Sequence, residues 1–473
     1  MTMRNFSVAT RALPLLTLAL VGCDDVEPSR VVAPVAGALA TASSDLDAAL
    51  RQELSRHGFT GRIAGTLEAR LGRPLDHRLA NVGRLLWFDP IQGLNDDNAC
   101  GGCHAPTNGF GDTQPIAIGI DNNRIVGADR QGPRNQRRSP MVINSAFYPT
   151  LMWNSRFQAV SGNPFDNRQG FAFPVPEGGT LSYLPHLLTA QAFIPPTERT
   201  EAAGFHFPGG NDEMRAAVVR RLNADANYRQ LFARARPQQP PDAPITFDDV
   251  ARAISEFEFT LTFANAPIDQ YARGRDDAMS PSEKRGAMLF FGKARCVACH
   301  AVSGASNEMF SDFRQHVAGT PQVMPALTNV TFDGPATNED FGLEQVSANL
   351  ADRYAFRTSP LRNVALQPAF MHNGAFTALE PAMRYHLDAT AGAANYTPAH
   401  LPPDLRGPIG PLQPVVERLD PLLRVPVPLS EPEFAWLLDF VRDALLDPDA
   451  RPTLLRRLIP DRLPSGRAPL LFR

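Results

Sequence analysis

Five cysteines in 473 residues cannot all pair with one another, and they are too sparse for a scaffold held together by disulfides. An excess of either charge is also missing. The 46 Lys and Arg stand against 49 Asp and Glu, giving −3 with no run of like charge, so nothing draws the chain to nucleic acid. No apolar run approaches the ~20 residues of a bilayer span. The length is about three times the ~150-residue domain prior, which admits two domains or one large one and excludes a small stapled fold. Proline is what the chain has in excess: 44 residues, nearly twice ordinary usage. That predicts a mainly α fold of short helices separated by long Pro-rich loops, rather than a continuous sheet or a coiled coil.

The first segment reads as an address. Arg4 and Arg11 precede the apolar stretch Ala12 to Val21, about half a bilayer span, which predicts a signal peptide over residues 1–22. The run ends Leu20-Val21-Gly22-Cys23, which resembles the bacterial lipoprotein cleavage box. One reading makes Cys23 the lipidated first residue, with residues 23–45, rich in Ala, Val, Pro and Ser, as a tether to a membrane. The other is a soluble periplasmic protein that loses Cys23 with its signal. Cleavage at the box removes two arginines and no acid, so −3 − 2 = −5 for the mature chain. Both readings place the protein in the periplasm.

The other four cysteines repeat one pattern, Cys100-Gly101-Gly102-Cys103-His104 and Cys296-Val297-Ala298-Cys299-His300. At this composition one Cys-x-x-Cys-His match is expected by chance roughly 0.001 times per chain. On a helical turn positions i and i+3 share a face, so two sulfurs can form thioethers to the vinyl groups of one haem while the following His lies beneath its iron. The pattern points to two covalently bound haem c groups, with His104 and His300 as iron ligands. A single zinc site made by both pairs is the alternative, but zinc does not require His after each second Cys. Redox disulfides lack the strand–helix repeat expected around them.

Helix starts recur around the motifs. Thr246-x-x-Asp249 opens a stretch with Val250, Ile254, Phe257 and Leu261 on one face; Ser280-Pro281-Ser282-Glu283 opens another leading to Leu289 and Phe290. Ser430-Glu431-Pro432-Glu433 caps a third, with Phe434, Leu437, Leu438, Val441 and Leu445 apolar. Pro237 to Pro244 reads as a linker. The expected division is a first haem domain over 46–240, a second over 241–450, and a C-terminal tail over 451–473.

From about Gly83 to Asp447 the chain resembles the bacterial di-haem cytochrome c peroxidase family. That family includes the methylamine-utilisation enzyme that oxidises a partner protein to build a tryptophan-derived quinone. The residues that carry the resemblance are Gly83-Arg84-Leu85-Leu86-Trp87-Phe88-Asp89-Pro90, Asn108-Gly109-Phe110-Gly111-Asp112 and Ser139-Pro140-Met141-Val142-Ile143-Asn144 around the first haem motif. Around the second they are Ile268-Asp269-Gln270-Tyr271, Lys284-Arg285-Gly286, Arg357 to Leu366 and Met371-His372-Asn373-Gly374. The resemblance implies two cytochrome c-like haem domains, a peroxide-binding N-terminal haem and an electron-transfer C-terminal haem.

The family comparison also yields expectations for individual residues. In reductively activated members a His sixteen residues past the first proximal His blocks that haem; here the position is Ile120, and no His occurs between His104 and His186. An open first site is expected, unless His186, His206 or a Met such as Met141 swings in. By resemblance Glu201 is the acid–base catalyst and Gln191 its positioning partner, although a long insertion between Arg156 and Gln191 lets the register slip to Glu198. Met152 stands where an aromatic is common. Trp153 matches the tryptophan between the two haems, as an electron relay or as plain core. Fourteen residues after His372 stands His386, the expected second ligand of the C-terminal haem, with Tyr385 as alternative ligand and a surface His as the bland reading. An interdomain calcium would use Asn135 and the carbonyls of Gln367 and Ala369, but three extra residues separate Pro133-Arg134-Asn135 from Ser139-Pro140.

The implied activity is reduction of hydrogen peroxide with electrons from a small c-type cytochrome or copper protein. Its alternatives are a peroxide-driven oxidase that modifies a partner protein and an electron-transfer module without catalysis.

Overall fold

The computed structural model describes residues 35–473, with side chains from Asp45 onward. The signal segment and Cys23 lie outside the described residues. The chain is mainly helical, and three of the helix starts read from the sequence are built by reciprocal caps. Thr246 Oγ1 accepts from the Asp249 N–H while the Asp249 carboxylate accepts from Thr246 N at 2.8 Å, opening Phe247–Thr260. Ser280 with Glu283 and Ser430 with Glu433 open Pro281–Phe291 and Glu431–Asp439 in the same way.

Thr377-x-x-Glu380 has the capping-box pattern and would start the helix that carries His386 at Ala378, but the helix begins one residue later. It runs Leu379–Leu387 with Ala378 as its uncapped N-cap, so Thr377 caps nothing. Pro381 explains the shift. A start capped by Thr377 would make proline the fourth helical residue, where an N–H is needed; starting at Leu379 leaves it in the first turn, where none is.

Two helix pairs of one design form the cores. His77–Phe88 crosses Phe247–Thr260, and Pro281–Phe291 crosses Glu431–Asp439. Each crossing passes over a glycine: a Cβ on Gly83 would lie 1.8 Å from the Ala253 carbonyl oxygen, and one on Gly286 1.9 Å from that of Trp436. Backbones this close exclude any side chain. A Cys-x-x-Cys turn follows the first helix of each pair.

Around the first pair lie Leu86, Trp87, Phe110, Phe147, Val250 and Phe257; around the second lie Leu50, Tyr271, Phe290, Phe310, Leu437 and Phe440. Leu438 is only half-buried, because a wider turn over Phe440–Ala444 rotates Phe440, Val441 and Ala444 inward instead. Residues 237–244 form a loop, yet the helix after it joins the core of the first half, since Val250, Ile254 and Phe257 are buried against the 77–88 helix. The C-terminal tail is packed as well: Leu471–Phe472 pairs in parallel with Ile125–Val126, and Phe472 meets Phe88 edge-on at 5.6 Å.

Motifs without obvious chemistry find structural roles. Asp269 and Arg362 form a fully buried bidentate pair at 2.7 and 2.8 Å. Three short strands, Thr150–Leu151, Phe157–Ala159 and Phe171–Ala172, form an antiparallel sheet whose first turn carries Trp153. Among the described residues no helix is long and apolar enough to cross a membrane.

Candidate active site

Each Cys-x-x-Cys-His motif lines its own cavity. Cys100, Cys103 and His104 face one; Cys296, Cys299, His300 and His386 face the other. Among the described residues the four cysteines are unpaired, and no three His, Cys, Asp or Glu side chains gather to hold a metal ion, which removes the shared zinc site.

The three histidines are oriented alike. His104 Nδ1 lies 3.2 Å from the Phe110 carbonyl, His300 Nδ1 3.0 Å from that of Phe310, and His386 Nδ1 2.9 Å from that of Ala382. A carbonyl can only accept, so Nδ1 carries the proton and the Nε2 lone pair is free for iron. Burial lowers all three pKa values, keeping the ligating neutral form. Tyr385, the alternative ligand, turns away: its ring packs on Phe376 and its hydroxyl donates to the Gly319 carbonyl.

Neither histidine named as a blocker lines the His104 cavity. His186 is buried with both ring nitrogens engaged, Nδ1 accepting from Leu188 N at 3.0 Å and Nε2 donating to the Ala146 carbonyl at 3.1 Å. His206 is exposed and away from the cavity. Met141 does line the cavity, with its Sδ against Gly109, the residue before the Phe110 whose carbonyl holds His104. Ile120 is buried, donating its N–H to the Thr200 carbonyl at 3.2 Å.

The first cavity gathers Gln191, Glu198 and Glu201 with Trp153 and Arg156. Arg156 lies 3.0 Å from Glu198 and 4.0 Å from Glu201. Burial first, then the neighbouring Glu198 charge, pushes Glu201 up to about 7, with Arg156 opposing. The two glutamates are thus separated by environment: Glu198 is the arginine's partner, and Glu201 is the group poised to gain and lose a proton near neutral pH.

Sequence reasoning missed Glu258. It is buried on the 247–260 helix at the cavity wall, its Oε2 has no hydrogen-bond partner, and burial pushes it up to about 8. Its helical face, shared with Ile254, carried the available signal.

Between the cavities stands Trp153, which lines both. Its Nε1 donates to the Arg138 carbonyl at 2.9 Å, and its own carbonyl accepts from Arg357 N at 2.8 Å. The expected calcium set does not assemble. Ala369 O accepts from the Arg138 guanidinium instead, and Asn135 turns its unpartnered amide oxygen to the wall of the first cavity.

Residues 77–277 match the family model described as di-haem cytochrome c peroxidase. Over that span the chain is similar to the di-haem cytochrome c peroxidases. It is 26% identical over 353 residues to methylamine utilization protein MauG of Methylorubrum extorquens, covering 74% of this chain and 78% of that one. To cytochrome c551 peroxidase of Pseudomonas aeruginosa it is 25% identical over 321 residues, 68% and 75% of the two chains. Among solved structures, a MauG-like protein associated with microbial copper homeostasis superimposes with a TM-score of 0.58 at 23% identity, covering 82% of this chain and 94% of that one. The diheme peroxidase BthA from Burkholderia thailandensis does so at 0.52 and 20%, covering 84% and 91%. These two likenesses speak for the fold. Relatives named cytochrome c peroxidase and MauG mark the chain as a cytochrome-c-peroxidase-like oxidoreductase, and the likeness implies two c-type haems, which the donor sets of both cavities fit.

Proposed function

We propose that the chain reduces hydrogen peroxide to water in the His104 cavity, with two electrons entering by way of the His300/His386 cavity. Two cytochrome c-like modules carry the sites, each built on a helix pair that crosses at a glycine. Cys100 and Cys103 in the first module, Cys296 and Cys299 in the second, would hold the haems covalently, with His104 as sole protein ligand in one and His300 and His386 as a pair in the other. The haems, when bound, supply the redox chemistry. Glu201 takes the proton from one peroxide oxygen and returns it to the departing one, Gln191 orients it, and Arg156 with Glu198 sets its basicity. Trp153 is the bridge between the two cavities.

The single observation that carries this reading is the asymmetry of the two cavities. His386 lines the second cavity together with His300 and has a free Nε2, whereas His104 is the one histidine among the described residues lining the first cavity, in company with Trp153, Gln191 and Glu201. The same asymmetry favours a second reading, a peroxide-driven oxidase that modifies a partner protein, because an open first site and a His rather than a Met at the second suit a low-potential centre. A small c-type cytochrome or copper protein as donor supports the first reading. A partner side chain as the electron source supports the second. The protein acts in the periplasm, anchored through a lipid on Cys23.

The test is the EPR spectrum of the ferric protein as isolated, followed by peroxide without reductant. One high-spin and one low-spin haem, with the peroxide changing both, is expected. Two low-spin haems inert to peroxide would leave only an electron-transfer module.

A further inference from the structure

We infer that this chain holds no calcium ion between its two haem cavities, because the guanidinium of Arg138 occupies the position the family resemblance assigns to the cation. The substitution is visible from sequence to structure. Three extra residues, Gln136, Arg137 and Arg138, fall between Asn135 and Ser139-Pro140, so an arginine rather than an asparagine directly precedes that Ser-Pro.

The side chain is 4% exposed and lines both cavities. Its Nη1 donates to Ala369 O, one of the two carbonyls the resemblance gives to calcium. Its Nη2 donates to Gln367 Oε1 at 3.0 Å and reaches toward Asp112 O at 3.4 Å. Asn135 donates its N–H to Ala117 O at 2.7 Å and is not among these partners.

Calcium needs six to eight oxygens at ~2.3–2.6 Å, gathered around a point. Here one of those oxygens is already turned to an N–H donor, and a divalent ion beside it would face a buried positive charge. The neighbouring carboxylate, Asp112, accepts from Gln114 N at 2.8 Å and Ser139 N at 2.9 Å, and its charge already faces the Arg138 guanidinium. Burial lowers the Arg138 pKa to about 10, which still leaves it charged at neutral pH.

The exchange has a consequence for Trp153. The carbonyl of Arg138 accepts the Trp153 indole N–H, and its N–H donates to His372 O at 2.9 Å. One residue therefore supplies the positive charge and holds the ring between the cavities. Arg138 is a positioning residue whose effect does not depend on the surrounding calcium concentration.

The test uses the di-haem holoprotein, exhaustively dialysed against EGTA, with metal content measured by mass spectrometry and the haem spin states by EPR. Trace calcium, with an EPR spectrum unmoved by EGTA or by added calcium chloride, is expected. A stoichiometric calcium that survives dialysis, or a spectrum that EGTA alters and calcium restores, overturns the inference. Arg138→Met should perturb the EPR signals and Arg138→Lys should recover them in part; a spectrum indifferent to Arg138→Met overturns the positioning role. Calcium content is read independently of peroxidase activity, so failure here is distinguishable from failure of the functional reading, and it decides the matter even where the methionine variant does not fold.

Discussion

Glu201 offers the most direct test of the proposed chemistry. With its pKa pushed up to about 7, the carboxylate that accepts the peroxide proton is about half populated at pH 7 and about one per cent populated at pH 5. The second-order rate constant for peroxide should therefore fall about 50-fold across that interval, following the loss of the base form. The neighbours set where the fall occurs. Glu198 raises the Glu201 pKa and Arg156 lowers it, so Glu198→Gln should move the midpoint to lower pH and Arg156→Leu to higher pH. Glu201→Gln should cost about 10²- to 10⁴-fold and flatten the profile. Stopped-flow mixing of the ferric protein with peroxide between pH 5 and 8 reads all of these. A wild-type rate that does not vary with pH, or a Glu201→Gln protein that keeps the limb, would refute the assignment.

His386→Ala should turn the low-spin haem high-spin in EPR while Tyr385→Phe leaves it low-spin, since only His386 faces the second cavity; the reverse outcome would return the ligand to tyrosine. Gly286→Ala places a methyl 1.9 Å from the Trp436 carbonyl oxygen and should cost ~1–3 kcal/mol or more in denaturant unfolding, whereas an unchanged midpoint would mean the helices can part freely. Glu258, raised to about 8, keeps its proton in the folded state over a range where the unfolded chain has lost it, so stability falls as pH rises from the ordinary glutamate value to about 8. Glu258→Gln should remove that slope from unfolding measured at pH 5, 7 and 9, and an unchanged slope would place the titration elsewhere.

Much of the site was legible because covalent chemistry fixes spacing. Cys-x-x-Cys-His needs only one turn of backbone, so the haem-bearing residues stand out in the linear chain. Capping boxes are equally local, which is why the starts at Phe247, Pro281 and Glu431 are readable, while Pro381 moved the start near His386 by one residue through a backbone requirement that the capping pattern alone does not contain. The division at Pro237 to Pro244 was harder to read. A loop marks where a helix stops and says nothing about which core its successor will join, and the 247–260 helix joined the first.

By itself, then, the sequence determined a mainly helical chain with two haem-attachment motifs, and a His386 one helical step from a tyrosine. Only the tertiary structure decided which of those two faces the cavity, which of Glu198 and Glu201 is tied up by Arg156, and that Arg138 reaches Ala369. The reason is physical: pKa values, ligand choice and charge compensation depend on partners far apart in the chain, such as Arg138 and Ala369, whose meeting is set by packing rather than by spacing.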